Sequence, residues 1–362
     1  MSARILATYR IACAANEIEA RARALAAEQS VEMPVEAIRD PRVLGEIVAT
    51  VESVRPSGNA FEVILGLAAE TTGGEAAQLV NMLFGNCSLQ PEVELLDADF
   101  PPGFASAFPG PAHGIAGLRE RVGATSRALT GTALKPQGST VEHLAKLAGT
   151  FARAGIDVIK DDHGLADQAF SPFAERVPAV QRAIDAANGE TGGRTIYAPT
   201  FSGGPGALAA QAAIARDCGV GVALVAPMLV GLPVFVEMRR TSGLALLAHP
   251  AFAGASRVAP ALLLGRLFRL FGADATIFPN HGGRFGYTRQ ACLAIAAAAR
   301  DPWEGLEPVL PVPAGGMSVE RVDEMISDYG TDTMLLIGGA LLAAGDDLLG
   351  LSREFVRRVR NT

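Results

Sequence analysis

The stretch Ile156-Asp-Val-Ile-Lys-Asp-Asp-His163 is an apolar strand that ends in an amine, two carboxylates and an imidazole. Strand side chains alternate faces, so Lys160 and Asp162 share one face and Asp161 takes the other. One face of the strand end can therefore hold a cation, with His163 in the loop beyond as a third ligand or as an acid or base. The same residues also suit a buried lysine paired with aspartates at a barrel rim. This segment alone does not choose between the two.

Outward from it, short apolar strands alternate with helical segments. Strands are expected over 129–135, 156–160, 195–199, 220–226, 244–249, 275–278, 310–314 and 333–337. Eight such units indicate an α/β chain with a (β/α)8 TIM barrel. An open doubly wound sheet is the alternative, but no Gly-x-Gly-x-x-Gly follows an early strand. Before the barrel, the order strand, helix, two strands (43–54 and 60–67), helix, strand is the βαββαβ pattern of a ferredoxin-like α+β domain. The Pro- and Gly-rich run from Asp99 to Gly114 reads as the linker. The expected division is thus an N-terminal domain over 1–115 and a catalytic barrel over 116–362 that ends in a C-terminal helix.

Composition narrows the function classes. The chain has 362 residues, 49% of them hydrophobic, enough for a large core and two domains. Its formal net charge of −7 and lack of a basic block argue against nucleic acid or an anionic membrane as partner. Cys13, Cys87, Cys218 and Cys292 are far apart and form no Cys-x-x-Cys pair, so a cytoplasmic setting fits best. Arg4, Arg10, Glu17 and Glu19 interrupt the first twenty residues, which therefore do not read as a signal peptide. The uncharged run 218–236 holds Pro227 and Pro233 and reads as a buried strand followed by a loop rather than as a membrane span.

In a barrel of this kind, chemistry sits on the loops after the C-terminal strand ends, where the polar residues here cluster. Lys135 closes the first barrel strand in Gly131-Thr-Ala-Leu-Lys-Pro-Gln-Gly-Ser139, followed by a proline that restricts its backbone. A lysine aimed into a barrel mouth beside a cation can take a proton from carbon next to a carbonyl; equally it can be a salt-bridge lysine. The pairs Gly315-Gly316 and Gly338-Gly339, at the seventh and eighth strands, expose backbone N–H groups as a phosphate cradle. His249 ends strand five before Pro250 and faces the same mouth. Asn280, His281 and Arg284 lie on the Gly-rich loop Pro279-Asn-His-Gly-Gly-Arg-Phe-Gly286, which either closes over a ligand or is a mobile surface connection.

Taken in order, Gly131-Thr-Ala-Leu-Lys-Pro, Ile159-Lys-Asp-Asp, Ala248-His-Pro, Pro313-Ala-Gly-Gly and Leu336-Ile-Gly-Gly resemble the RuBisCO large-chain superfamily, specifically its non-photosynthetic, form IV RuBisCO-like proteins. The resemblance spans nearly the whole chain and includes Gly85-Asn86 and Ala27-Glu-Gln-Ser30. It implies that Lys160 carries CO2 as a carbamate and that Asp162 sits beside it as a ligand to Mg2+, the family's cofactor. The family's third ligand, a glutamate, is His163 here, which leaves another divalent metal open. The resemblance further implies Lys135 as the enolising base, His249 as a substrate-binding histidine, and the glycine pairs as donors to one phosphate. Glu28 and Asn86 would complete the neighbouring subunit's site in a homodimer or a higher homo-oligomer.

The departures bear on the reaction. Carboxylases of this family carry a lysine where this chain has Gln137, an arginine where it has Pro250 and a serine where it has Ala314. Loss of the last two removes a second phosphate clamp and implies a sugar or sugar-acid monophosphate. CO2 fixation is not expected. The expectation is metal-dependent enolisation of such a phosphate, with decarboxylating transcarboxylase or hydrolase chemistry placed first. The alternatives are a 5-methylthioribulose-1-phosphate isomerase, a diketo-phosphate enolase (tautomerase), and a non-catalytic barrel that only binds a sugar phosphate.

Overall fold

The computed structural model describes residues 3–362, which form two compact units. The first unit comprises residues up to Phe108 together with 253–263 and 303–305. Its strands β1 (Arg4–Ile11), β2 (Thr50–Ser57), β3 (Ala60–Ala68) and β4 (Val93–Asp99) make an antiparallel sheet in the order β2-β3-β1-β4. Alternate residues of β1 (Ile5, Ala7, Tyr9 and Ile11) are buried, the period-two signature of a sheet covered on one face. Helices Ile18–Glu28 and Ala76–Phe84 complete the βαββαβ order. The segment expected as strand from Val43 is instead a wide helical turn, Val43–Ile47, and pairing begins only at Thr50. Its apolar residues are spaced i, i+1, i+4 rather than alternately, and the Asp40 carboxylate takes the N–H of Arg42 at 2.8 Å.

The second unit holds β5 (Leu129–Leu134), β6 (Val158–Asp161), β7 (Ile196–Ala198), β8 (Thr200–Phe201), β9 (Val222–Val225), β10 (Ala245–Ala248), β11 (Ala275–Pro279), β12 (Leu310–Ala314) and β13 (Met334–Leu336). All pair in parallel, in the order β7-β6-β5-β13-β12-β11-β10-β9-β8. Only Pro199 separates β7 from β8, so these are two halves of one stave. Proline has no N–H to give a ladder, yet its carbonyl accepts from Leu224 at 2.9 Å, and the ring closes with eight staves. The run 218–236 supplies β9 and then helices Pro227–Val230 and Leu232–Thr241 rather than a loop; no helix among the described residues is long and apolar enough to cross a membrane.

The chain enters this unit at Pro109, before the expected boundary. The buried Asp274 carboxylate binds the N–H groups of His113 and Gly114 at 2.6 and 2.8 Å and so fixes the end of the linker run. Helix Gly114–Val122 follows and packs Ile115, Leu118 and Val122 into one cluster with Leu129, Val158, Val222, Leu224, Ala245, Leu247, Ile277 and Val312. These residues define the inward parity of each strand. By the same alternation Lys135, Lys160, Asp162, His249 and Ala314 point inward at the C-terminal mouth, and Asp161 and Asn280 point outward.

Outward, Asp161 anchors β6 to helix Phe173–Thr191. Its carboxylate meets Arg176 Nε at 3.2 Å, Tyr197 OH at 2.7 Å and the Thr200 N–H at 3.1 Å, with Asp161 and Arg176 both fully buried. Burial pushes the Asp161 carboxyl upward from its ordinary value, against the pull first of the Arg176 charge and then of these hydrogen bonds. Arg176 also donates to the Ser171 and Ala166 carbonyls, at 2.5 and 2.8 Å, so none of its charge is left bare. Removing one partner strands a buried charge. Arg176→Met should cost about 3–5 kcal/mol in urea unfolding at neutral pH, and the double variant Arg176→Met/Asp161→Asn should recover part of that loss.

Candidate active site

Asp162 is the centre of the mouth. Its N–H bonds the Leu134 carbonyl at 3.2 Å and its own carbonyl accepts from Thr200 Oγ1 at 2.9 Å, so neighbouring staves fix its backbone. Its Oδ2 meets Lys135 Nζ at 2.5 Å and its Oδ1 meets His163 Nδ1 at 2.9 Å. Burial alone would raise this carboxyl, but the hydrogen bonds from His163 and Lys135 and the charges of Lys135 and Lys160 outweigh it, and Asp162 is held well below the usual carboxylate range.

Lys160 is buried in the same mouth, and its Nζ donates to the Asp161 carbonyl at 2.9 Å. Desolvation pushes its amine down to about 8, with Lys135 lowering it further and Asp162 partly compensating. At that value a useful fraction of the amine is neutral near physiological pH, as attack on CO2 requires. With CO2 attached, Lys160 becomes an anionic oxygen donor beside the Asp162 carboxylate and the His163 imidazole. A donor set of two anionic oxygen groups and one nitrogen suits a divalent cation.

His249 stacks on His163, the ring centroids 4.4 Å apart and the planes inclined by 12°. Burial, then the charges of Lys160 and His163, push His249 down to about 2, so its imidazole is neutral. The Ala251 N–H donates to Nδ1 at 3.1 Å, which places the ring proton on Nε2. On the opposite side of Lys135 stands the second glycine pair. A Cβ on Gly338 would lie 3.8 Å from Lys135 Cε, so the lysine side chain runs alongside the loop after β13. The N–H groups of Gly316, Gly338 and Gly339 make no hydrogen bond to another group among the described residues.

Lys135, Lys160, Asp162, His163, His249 and Gly338 thus come together. Asn280 and His281 do not join them. Asn280 is buried on the helix side, where its amide meets the sulfurs of Met317 and Met325 and its oxygen accepts from Tyr329 OH at 2.5 Å. His281 Nε2 lies 2.9 Å from Asp328 Oδ2, while Arg289 takes Oδ1 of the same carboxylate. Arg284 is exposed and stacks on the Phe285 ring, which covers Gly315. In the first unit Asn86 Nδ2 binds Glu28 at 2.9 Å, and also Glu32 at 3.0 Å, which the sequence reading did not single out. Arg176 was missed as well, although it stands on the apolar stripe Phe173, Val177, Val180, Ile184 of its helix, where a charge needs a partner.

Residues 114–345 match the family described as ribulose bisphosphate carboxylase large chain, catalytic domain. The chain is 54% identical over 362 residues to a 5-methylthioribulose-1-phosphate isomerase of Rhodospirillum rubrum, covering 99% of this chain and 97% of that protein. It is 37% identical over 281 residues to a 2,3-diketo-5-methylthiopentyl-1-phosphate enolase of Geobacillus kaustophilus, covering 75% and 68%. Among solved structures, a Rubisco-like protein from Rhodopseudomonas palustris superposes with a TM-score of 0.93 at 51% identity, covering 100% of this chain and 99% of that one.

The His249 environment has a direct readout. Its ring nitrogens should not titrate between about pH 5 and 8, and 15N chemical shifts should report the Nε2–H form throughout. A titration midpoint near the ordinary histidine value would contradict this desolvated, lysine-flanked site.

Proposed function

Because the chain belongs to the ribulose bisphosphate carboxylase large-chain family, among its RuBisCO-like proteins, we propose that it enolises a keto-sugar monophosphate of the kind named for its relatives, 5-methylthioribulose 1-phosphate or the corresponding diketo phosphate. The observation that carries this reading is the placement of Lys135, with Nζ 2.5 Å from Asp162 and its side chain against Gly338. A base so placed lies between the carboxylate that orders it and the backbone donors that anchor a phosphate. The relatives' names favour isomerase or enolase chemistry over the decarboxylating transfer placed first on sequence departures alone.

In this reading, the phosphate binds the N–H groups of the two glycine pairs. Lys135 acts as the base that takes the proton from the carbon beside the carbonyl, and Asp162 stabilises the ammonium that results. For an isomerase the same amine returns the proton to the adjacent carbon. His249 donates from Nε2 to a substrate hydroxyl or carbonyl oxygen, a role that a neutral imidazole can fill. Carbamylated Lys160, Asp162 and His163 would hold the divalent cation, which when bound supplies electrostatic stabilisation of negative charge on the substrate oxygen. Glu28 and Asn86, paired with each other, are the groups a second copy would contribute in a homodimer.

Proton exchange with solvent deuterium tests the core step. With Mg2+ and bicarbonate present, wild-type protein should wash the carbon-bound proton out of 5-methylthioribulose 1-phosphate. Lys135→Ala should slow this by about 10²–10⁴-fold while still binding the phosphate, and Lys160→Ala and Asp162→Ala should abolish the metal-dependent exchange altogether. No exchange by the wild type with either phosphate would leave a barrel that only binds. The carbamate has its own signature: with 13C-bicarbonate, a carbamate resonance should grow from about pH 7 to about pH 9 as the Lys160 amine deprotonates around its pKa of about 8, and should be missing in Lys160→Met.

A further inference from the structure

The loop after β11 is held by more contacts than a lid needs. Its Asn280 N–H donates to the Ala314 carbonyl at 2.8 Å, and its His281 imidazole is fixed on Asp328. Loop and cradle also touch backbone to backbone. A Cβ on Gly316 would stand 2.3 Å from Gly283 Cα, and one on Gly283 would stand 2.5 Å from the Gly315 carbonyl oxygen, so neither position has room for a side chain. Arg321 joins the two segments. Its Nη1 donates to the His281 carbonyl at 3.2 Å and to the Gly316 carbonyl at 3.3 Å, one from each loop. Its Nε and Nη2 are held by both oxygens of Glu324, each at 3.0 Å.

We propose that Arg321 is a positioning residue that fastens the loop after β11 to the Gly315-Gly316 cradle and makes this loop a fixed wall of the phosphate site rather than a lid. The proposal rests on the reading of that glycine pair as a phosphate cradle. Gly315 and Gly316 have φ of +76° and +72°, so no side chain restrains this backbone and its orientation comes from outside partners. Pinning the Gly316 carbonyl keeps the peptide that follows from flipping. The Glu324 fork both neutralises the guanidinium and fixes its plane, so Arg321 acts on the anion through the backbone rather than through its own charge. Lysine cannot reproduce that action, because a single ammonium lacks the planar fork that serves two carbonyls and a carboxylate at once.

The test pairs two measurements on full-length wild type, Arg321→Met, Arg321→Lys and Glu324→Gln. Amide hydrogen exchange should show Asn280, whose N–H is held by the Ala314 carbonyl, protected in the wild type whether or not inorganic phosphate is present. Both Arg321 variants should lose that protection, and Glu324→Gln should lose part of it, with thermal midpoints close to wild type because the half-buried Arg321 ties two loops rather than core elements. Phosphate affinity should fall about tenfold in Arg321→Met and in Arg321→Lys, the equivalent of about one backbone hydrogen bond to the anion lost as the cradle loosens. Unchanged exchange together with affinity within about twofold of wild type in Arg321→Met would overturn the proposal, as would full rescue by lysine. A wild type that binds no phosphate would remove the cradle reading and the positioning role with it, whereas the exchange pattern would still report the fastening separately.

Discussion

Two lysines enter the barrel mouth and one carboxylate, Asp162, faces both. Lys160 is buried and Asp162 largely so, and charge balance therefore bears on the groups around them. Asp162 compensates Lys135 directly through a 2.5 Å contact, while burial, only partly offset by Asp162, pushes the Lys160 amine down to about 8. Burial first, and then the charges of Lys160 and His163, keep His249 neutral. In the proposed reading, attachment of CO2 to Lys160 would reverse the sign: the mouth would gain a second anionic group and a deficit of positive charge that a divalent cation could fill. Metal affinity would then be set by a single covalent event at Lys160.

Much of this was legible because a closed barrel converts parity into direction. Once Val158 faces in, Lys160 and Asp162 must, and Asp161 must face out. The same rule, applied strictly, also places Asn280 on the helix side, since Ala275 and Ile277 face in. Reading the loop for its polar residues alone missed that. Other features depend on long-range partners that no local pattern encodes. The break at Pro199 is visible as a proline but not as a join between two halves of one stave. Arg321 reads as an ordinary surface helix residue until the carbonyls of His281 and Gly316 converge on it. The turn at Val43–Ile47 was misread because a short apolar run satisfies strand and helix templates alike.

The choice among reactions turns on what the distal end of the substrate lacks. Pro250 and Ala314 offer no charge where a carboxylase of the family has a second phosphate clamp, and Gln137 donates to the Gly164 carbonyl at 3.2 Å rather than presenting an ammonium. Isomerase and enolase chemistry need none of these. Both begin with the same proton abstraction and differ only in where the proton goes next, which a single lysine beside an ordered carboxylate accommodates. Carboxylation would also require a cation to meet incoming CO2, and Arg284 is instead stacked on Phe285 at the surface.

A substrate with one phosphate places a particular demand on the protein. A bisphosphate is fixed at both ends, so error at one clamp is corrected by the other. A monophosphate is fixed at one end only, and any looseness of the cradle is carried to the carbon whose proton must move. A misplacement of about 1 Å there can cost about a hundredfold in rate. Steric contact between Gly283 and Gly316, the Arg321 bridge and the Phe285 ring over Gly315 all stiffen that one anchor. Loss of the second clamp and rigid attachment of the loop to the first are in this view one adaptation: the barrel keeps a single anionic anchor and removes its freedom to move.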